Sequence, residues 1–428
     1  MNKIKTVLAA CLASAGALAQ NNVIVIEQPA FGGANEPSIY ISPADTSQIV
    51  LGANITNVFH STNGGRTWKH DTLASKLGVW GDPVVVADSK GDFYFFHLSD
   101  PEGTNWDSDR ILDRIVVQKS KNGGKTWDSG KGIGLNAPRQ QDKEWAAVNP
   151  NNDHIAVTWT EFDRYNSKKP EDKSRIMFSK STNRGKSWSE PITLSSIEGN
   201  CLDQDSTTEG SVPAWGLENE LFVAWSFDSM IYFNKSLDGG KTWLDREKII
   251  AEQPGGWSQK LPGLKRANGF PVVKVDHSNG KHRGRLYINW TDQRNGEDDT
   301  DVFIMYSDDR GESWSDPIRV NNDQVAVHQF FTWLDIDPAT GYLYTVFYDR
   351  RNHLDNTTDV YLAISKDGGN TWANHQISET PFKPVPHIFF GDYNNISVRN
   401  GMIRPAWTHY GDNKLSVRTA ILYQKMFD

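Results

Sequence analysis

An eight-residue pattern, Ser-x-Asp/Asn-x-Gly-x-Ser/Thr-Trp, recurs six times along the chain: STNGGRTW from Ser61, SKNGGKTW from Ser120, STNRGKSW from Ser181, SLDGGKTW from Ser236, SDDRGESW from Ser307 and SKDGGNTW from Ser365. Successive copies start 59, 61, 55, 71 and 58 residues apart. A period this long, with several short alternating strands in each unit, belongs to a propeller rather than a helical solenoid. Each copy follows a strand such as Ile231-Tyr232-Phe233-Asn234 and precedes another, so it joins the two strands of a hairpin. Two more strands lie upstream of each pair, as in Pro83 to Ala87 followed by Phe93 to His97, and four strands make one blade.

After the sixth copy the chain continues through three strands, at 392–398, 403–409 and 416–422, without another copy. The stretch Asn22-Val23-Ile24-Val25-Ile26-Glu27 has no partner of its own and supplies the missing fourth strand. The expected fold is therefore an all-β propeller of seven four-stranded blades, with a six-bladed ring as the alternative. Closure by the N-terminal strand would leave no open sheet edge.

The repeat makes residues 20–428 one domain despite a length that could hold several. Residues 1–19 read as a secretory signal: two lysines, an apolar run, then Ala17-Leu18-Ala19 before Gln20. A lipoprotein box ending at Cys11 is the weaker alternative, because it shortens the apolar run. The chain is thus expected outside the cytoplasm, secreted or periplasmic. Removal of the signal leaves Cys201 alone of the 2 cysteines, so no intrachain disulfide can form. A net charge of −8 without a basic stretch argues against nucleic acid, and no later segment is apolar enough to span a bilayer. A monomer without metal or cofactor is expected.

Within SKDGGNTW, the Asp367 carboxylate can cap its own turn, Gly369 can take the positive φ the turn needs, and Trp372 opens the next strand with a large apolar face. Asn63, Asn122 and Asn183 stand in for the acid in the first three copies. Chemistry that requires a carboxylate would not tolerate that exchange, so the pattern is scaffolding.

These repeats resemble the Asp-box, or bacterial neuraminidase repeat, proteins, above all the sialidases, over nearly all of residues 20–428. The resemblance implies a propeller and a carbohydrate-active hydrolase that removes a terminal acidic sugar. In that family arginines grip the sugar carboxylate, an aspartate serves as acid and base, and a Tyr/Glu pair supplies the nucleophile. The family's Arg-Ile-Pro motif is absent: the corresponding stretch reads Asn35-Glu36-Pro37-Ser38. A polysaccharide lyase on the same propeller, with Tyr393 or His328 as base, and a non-catalytic glycan- or protein-binding propeller are the alternatives.

If the repeated turns occupy one face, a ligand site belongs over the channel on the other. The turns leading into the first strands carry Glu36, Asp82, Glu144, Glu209 and Asp392, expected at equivalent inner positions. Carboxylates gathered around one channel repel, which raises some of their pKa values and makes Asp82, Glu144 and Asp392 candidates for catalysis, with Tyr393 as nucleophile or base. Arg139, Lys143, Arg266, Arg350 and Arg351, with His328, Glu36 and Glu209, are the expected groups for binding an acidic glycan, Arg139, Arg266 and Arg351 converging in one pocket. Trp80, Trp106, Trp145 and Trp257 are candidates for stacking on sugar rings.

Overall fold

The computed structural model describes residues 33–428 together with the strand Val23–Ile26; the expected signal segment over residues 1–19 lies outside the described residues. Seven antiparallel sheets of four strands follow one another around a ring. Their first strands, Ser38–Ile41, Val84–Ala87, Gln140–Val148, Glu209–Trp215, Val272–Val275, Gln329–Ile336 and Asn395–Arg399, line the axis, each packed against the next and the last against the first. The seven-bladed reading holds over the six-bladed alternative.

The sequence pattern changes with depth in the blade. Second strands such as Ile155–Phe162 (IAVTWTEF) and Leu343–Asp349 (LYTVFYD) are buried at every position, because a neighbouring blade covers each face. Fourth strands such as Lys69–Thr72 (KHDT) and Lys248–Glu252 (KIIAE) lie at the rim and are exposed or half-buried at every position. Trp159, Trp225, Trp290 and Trp407 fill the core between blades. Trp145 and Trp257, candidates for sugar stacking, are core residues too: Trp257 is fully buried against Phe270, with ring centroids 4.8 Å apart.

The repeated turn joins the third and fourth strands of the first six blades. In the sixth, Asp367 accepts hydrogen bonds from the Ser365 hydroxyl at 2.8 Å, the Thr371 hydroxyl at 2.7 Å and the Thr371 N–H at 3.0 Å. Asn63 in the first accepts the Thr67 N–H at 2.9 Å and donates to its hydroxyl at 2.8 Å. Acid and amide do the same work. The fifth position is glycine in all six, at φ 75° to 92°, where a side chain would be strained. The turn's Trp staples blades together: Trp188, Trp243 and Trp314 pack edge-on against Phe96, Phe178 and Phe233 of the preceding blade, at 5.8, 4.9 and 5.3 Å.

The seventh blade has no such turn. Its outermost strand is Val23–Ile26, paired antiparallel with Lys414–Ala420 from Val23 opposite Ala420 to Ile26 opposite Val417. Fully buried Arg404 ties this blade to the first by donating to the Gly64 carbonyl at 2.9 Å, and to Ile403 and Leu422 at 2.8 Å within its own blade. On the axis, Asn395 and Ser397 accept the Ile39 and Ile41 N–H groups at 3.1 and 3.0 Å. Cys201 is a free, buried thiol. No helix among the described residues is long and apolar enough to cross a membrane.

Candidate functional site

On the face opposite the repeated turns, the first strand of five of the seven blades begins with a distinctive twist. Ser38, Val84, Trp145, Val212, Trp333 and Asn395 occupy matching places, as their second-strand partners Gly52, Phe96, Thr158, Ala224, Val346 and Ala406 show. Two residues upstream, Glu36, Asp82, Lys143, Gly210 and Phe331 adopt φ of 53°, 51°, 52°, 71° and 51°. Left-handed backbone costs a non-glycine residue about 1–2 kcal/mol, so four of these five positions carry strain that the surroundings must offset.

This register corrects the expectation of equivalent acids. Glu36 and Asp82 sit at the twisted position, Glu144 one residue later, and Glu209 and Asp392 one residue earlier. A capping acid inherited with the repeat would recur at one position. These acids reach the axis from three, which separates them from the repeat's own architecture.

They share two cations. The Lys143 ammonium lies 3.1 Å from Asp82 and 2.6 Å from Asp392. The Arg266 guanidinium grips Asp392 with two donors, Nε at 2.7 Å, and contacts Asp203 with a third. Asp203 also accepts the Tyr165 hydroxyl at 2.6 Å. The Asn54 side chain donates to Glu36, while its carbonyl oxygen accepts the Asp82 N–H at 2.8 Å.

Lys143 and Arg266 cannot satisfy every carboxyl. Burial opposes ionisation of Asp392, yet Arg266 and then Lys143 outweigh it and hold its pKa far below the usual range. Burial raises Glu36, Glu144 and Glu209 well above theirs, with Asp82 the next contributor for the first two and Asp203 for the third. Both oxygens of Glu144 and of Glu209 are buried without a hydrogen-bond partner among the described residues. Asp142, beside Lys143, is raised to about 7, chiefly by burial, with Lys143 opposing and Asp82 and Asp203 adding to the rise. The cluster therefore holds ion-paired carboxylates and protonated carboxyls side by side.

Above it opens a cavity of about 430 Å³ lined by Asp82, Asp142, Lys143 and Arg266 and walled by Trp80, Trp106, Tyr165 and Phe389. Below it, Trp145 and Trp333 meet across the channel at 4.0 Å, with Tyr393 5.0 Å from Trp145. These rings separate the acidic cluster from a second cavity, about 310 Å³, in the part of the channel towards the repeated turns. Tyr393 has a buried hydroxyl without a hydrogen-bond partner among the described residues, and burial, then Glu36 and Asp82, raises its pKa well above the usual value. It contributes to the floor, and the tyrosine that reaches the cavity is Tyr165.

Of the residues expected from the sequence, Glu36, Asp82, Lys143, Glu144, Glu209, Arg266, Asp392 and Tyr393 come together here. Arg139 and Arg351 do not, which corrects the expected convergence of Arg139, Arg266 and Arg351. Arg351 clamps Asp349, two residues upstream, with Nε at 2.8 Å, as Arg294 clamps Asp292 at 2.9 Å in the fifth blade. Arg139 fills the same kind of place in the third, with Glu161 at 2.9 Å and Asp163 at 3.0 Å. Arg350 is buried over the Phe330 ring, its pKa lowered to about 10 by burial, and His328 bonds Thr300 at 3.1 Å and is lowered to about 4 by burial and then Arg350. Neither lines the cavity. Sequence reasoning missed Asp142, Asp203 and Tyr165 as site residues. Asp142 was within reach, next to Lys143 in RQQDKE; Asp203 and Tyr165 come from loops whose direction no periodicity records.

No family model matches the chain. Among solved structures the fold is similar to an ulvan lyase of a polysaccharide lyase family in complex with a saccharide, at 11% identity over 92% of this chain and 94% of that one, TM-score 0.53. It is also similar to the NanB sialidase from Streptococcus pneumoniae, at 11% identity over 90% and 83%, TM-score 0.52. A protein of unknown function from Dyadobacter fermentans matches at 13% identity over 94% and 98%, TM-score 0.51. Identities this low establish a shared propeller fold, and function has to be argued from the site.

Proposed function

We propose that the chain is an exported glycoside hydrolase that takes the end of a glycan into the axial cavity. The observation that carries this reading is the pairing of Asp142, a carboxyl whose pKa lies at about 7, with the ion-paired Asp82 carboxylate on one aromatic-walled cavity. Glycoside hydrolysis needs one carboxyl to protonate the leaving oxygen and another to attack the sugar or to activate water. Asp142 is the donor, because its proton is available near neutral pH. Asp82, fixed by Lys143, faces the sugar's anomeric carbon, and Trp80, Trp106 and Phe389 supply apolar surface for the ring.

Charge balance favours a neutral sugar over the terminal acidic sugar that the sequence resemblance implies. Lys143 and Arg266 are the cations lining the cavity, and carboxylates already engage both. A bound anion would have to displace Asp203 or Asp392 from Arg266, leaving a buried carboxylate uncompensated. The lyase alternative has less support, since its candidate bases Tyr393 and His328 are both buried away from the cavity lining.

The test is turnover by the purified chain on a panel of neutral, amino-bearing, sialylated and uronate glycans, reading both reducing ends and ultraviolet absorbance. Release of neutral sugar, lost in Asp142→Asn, supports the reading. Preferred release of sialic acid would restore the acidic-sugar specificity. Ultraviolet-absorbing product would establish a lyase, and binding without cleavage would leave a glycan-binding propeller.

A further inference from the structure

Beside the axial cavity lies another of about 330 Å³, lined by Trp106, Ser108, Ile111, Gln140, Arg164, Tyr165 and Asn166. Trp106 and Tyr165 line both cavities, so these two rings form the ridge between them. They are stacked, with centroids 5.3 Å apart and planes at 21°, and Trp80 meets Trp106 edge-on at 6.2 Å.

The ridge is built with some care. Trp106 sits in a short helical turn, Asn105–Asp107, within the long loop between the second and third strands of the second blade. That loop is held from inside: Asp100 accepts the Gly103 N–H at 3.1 Å, Ser108 donates to Glu102 at 2.6 Å, and buried Asp113 accepts the Ser99 hydroxyl at 3.0 Å. Tyr165 comes from the matching loop of the third blade, its N–H bound by Gln140 at 2.7 Å and its hydroxyl by Asp203. An Arg164–Asp109 ion pair at 2.9 Å joins the two loops at the outer rim. Trp106 is nevertheless 50% exposed. A half-exposed tryptophan fixed by an ordered loop on a ridge between two concave sites is the arrangement by which proteins hold successive sugar rings: apolar ring faces lie on the aromatic surface while neighbouring polar groups meet the hydroxyls.

We propose that Trp106 and Tyr165 separate two sugar subsites, the axial cavity taking the terminal unit and the outer cavity the next, so that the chain acts on oligosaccharide ends in preference to single-sugar glycosides. This rests on the reading of the axial cavity as a sugar site. The outer subsite takes a neutral pyranose, with Gln140, Arg164 and Asn166 placed around it to meet hydroxyl groups.

The test compares an aryl monosaccharide glycoside with a trisaccharide of the same terminal sugar, on the whole chain and on Trp106→Ala and Asn166→Ala. Binding of the mono- to trisaccharide series is followed calorimetrically in parallel. Wild type should favour the trisaccharide in kcat/KM by about tenfold, and Trp106→Ala should lose most of that preference, mainly through KM. Asn166→Ala, outside the axial cavity, should lower the preference in the same direction, which keeps the test decisive if Trp106→Ala disturbs its loop. Equal handling of both substrates by wild type, with affinity that does not grow beyond one sugar, overturns the second subsite and leaves the hydrolase reading standing. Absence of both turnover and binding for every sugar overturns the two together.

Discussion

The two faces of the ring are built from opposite uses of the same residue types. On one face, the carboxylates of the repeated turns accept hydrogen bonds from their own backbone, and Asp309 and Asp367 have depressed pKa values: the Ser313 hydroxyl is the largest influence on the first, and Thr371 lowers the second against a desolvation penalty. On the other, Glu144 and Glu209 are buried without a hydrogen-bond partner among the described residues, and their pKa values are raised. The first face satisfies each acid locally, once in each of the first six blades, with Asn as an adequate substitute. The second draws acids from several blades into one cluster that no single blade explains. Local satisfaction marks architecture, and convergence with incomplete satisfaction marks a site.

The largest expected effect is on the axial face. Asp142→Asn should lower turnover by roughly 10²–10⁴-fold, the usual contribution of a positioned general acid, while the variant still binds glycan. Because the acid must be protonated, wild-type activity should fall as pH rises past about 7, the value to which burial raises Asp142. A pH–rate profile flat from 6 to 9 would remove Asp142 from the role. Next comes the ring itself. Deleting residues 21–27 removes Val23–Ile26 and exposes the edge of Lys414–Ala420. Its cost in urea unfolding should exceed the roughly 0.5–3 kcal/mol of an ordinary substitution, and an unchanged midpoint would show that the inner strands and Arg404 close the ring unaided.

The contrast between the faces also explains what could be read in advance. The six turns announce themselves because their function is local: every residue that matters lies within eight positions, so the blade count and the scaffold role followed from the string. The axial acids Glu36, Asp82, Glu144, Glu209 and Asp392 were legible as a group, since each lies just before or within the opening residues of a first strand. Their exact depth was not, because a left-handed residue such as Asp82 or Lys143 shifts the register by one in ways that alternation does not encode. Arg139 and Arg351 were misplaced because an arginine beside the end of a second strand can be captured by the acids there: Asp349, two residues upstream, holds Arg351, and Glu161 and Asp163 hold Arg139, which precedes the third blade's first strand. Asp203 and Tyr165 required the paths of two loops in space.

A smaller effect tests the face that carries the turns. Asp367→Ala removes the acceptor of the Ser365, Asn370 and Thr371 donors and should cost about 1–2 kcal/mol by urea denaturation. Catalysis and glycan affinity should be unchanged, because the turn and the axial cavity lie on opposite faces. Loss of binding in a folded Asp367→Ala chain would mean that the two faces are not independent.

The last effect, small at any one pH step, is the most discriminating, because the two faces should titrate with opposite sign. Glu144 has a folded-state pKa above its unfolded value of about 4.3, so between those two pH values the native chain binds more protons than the unfolded one and stability falls as pH rises. Glu144→Gln cannot titrate, so its stability relative to wild type should grow with pH from about 4.3 upward, by at most about 1.4 kcal/mol per pH unit. Asp367 has a folded-state pKa below its unfolded value of about 3.9; its stabilisation is present above that pH and is lost as pH falls through the folded value. The deficit of Asp367→Ala should therefore be constant at neutral pH and shrink in acid. Urea midpoints of both variants and wild type from pH 3 to 8 measure both trends, and parallel curves for Glu144→Gln and wild type would show that the Glu144 carboxyl ionises as freely in the fold as in the unfolded chain.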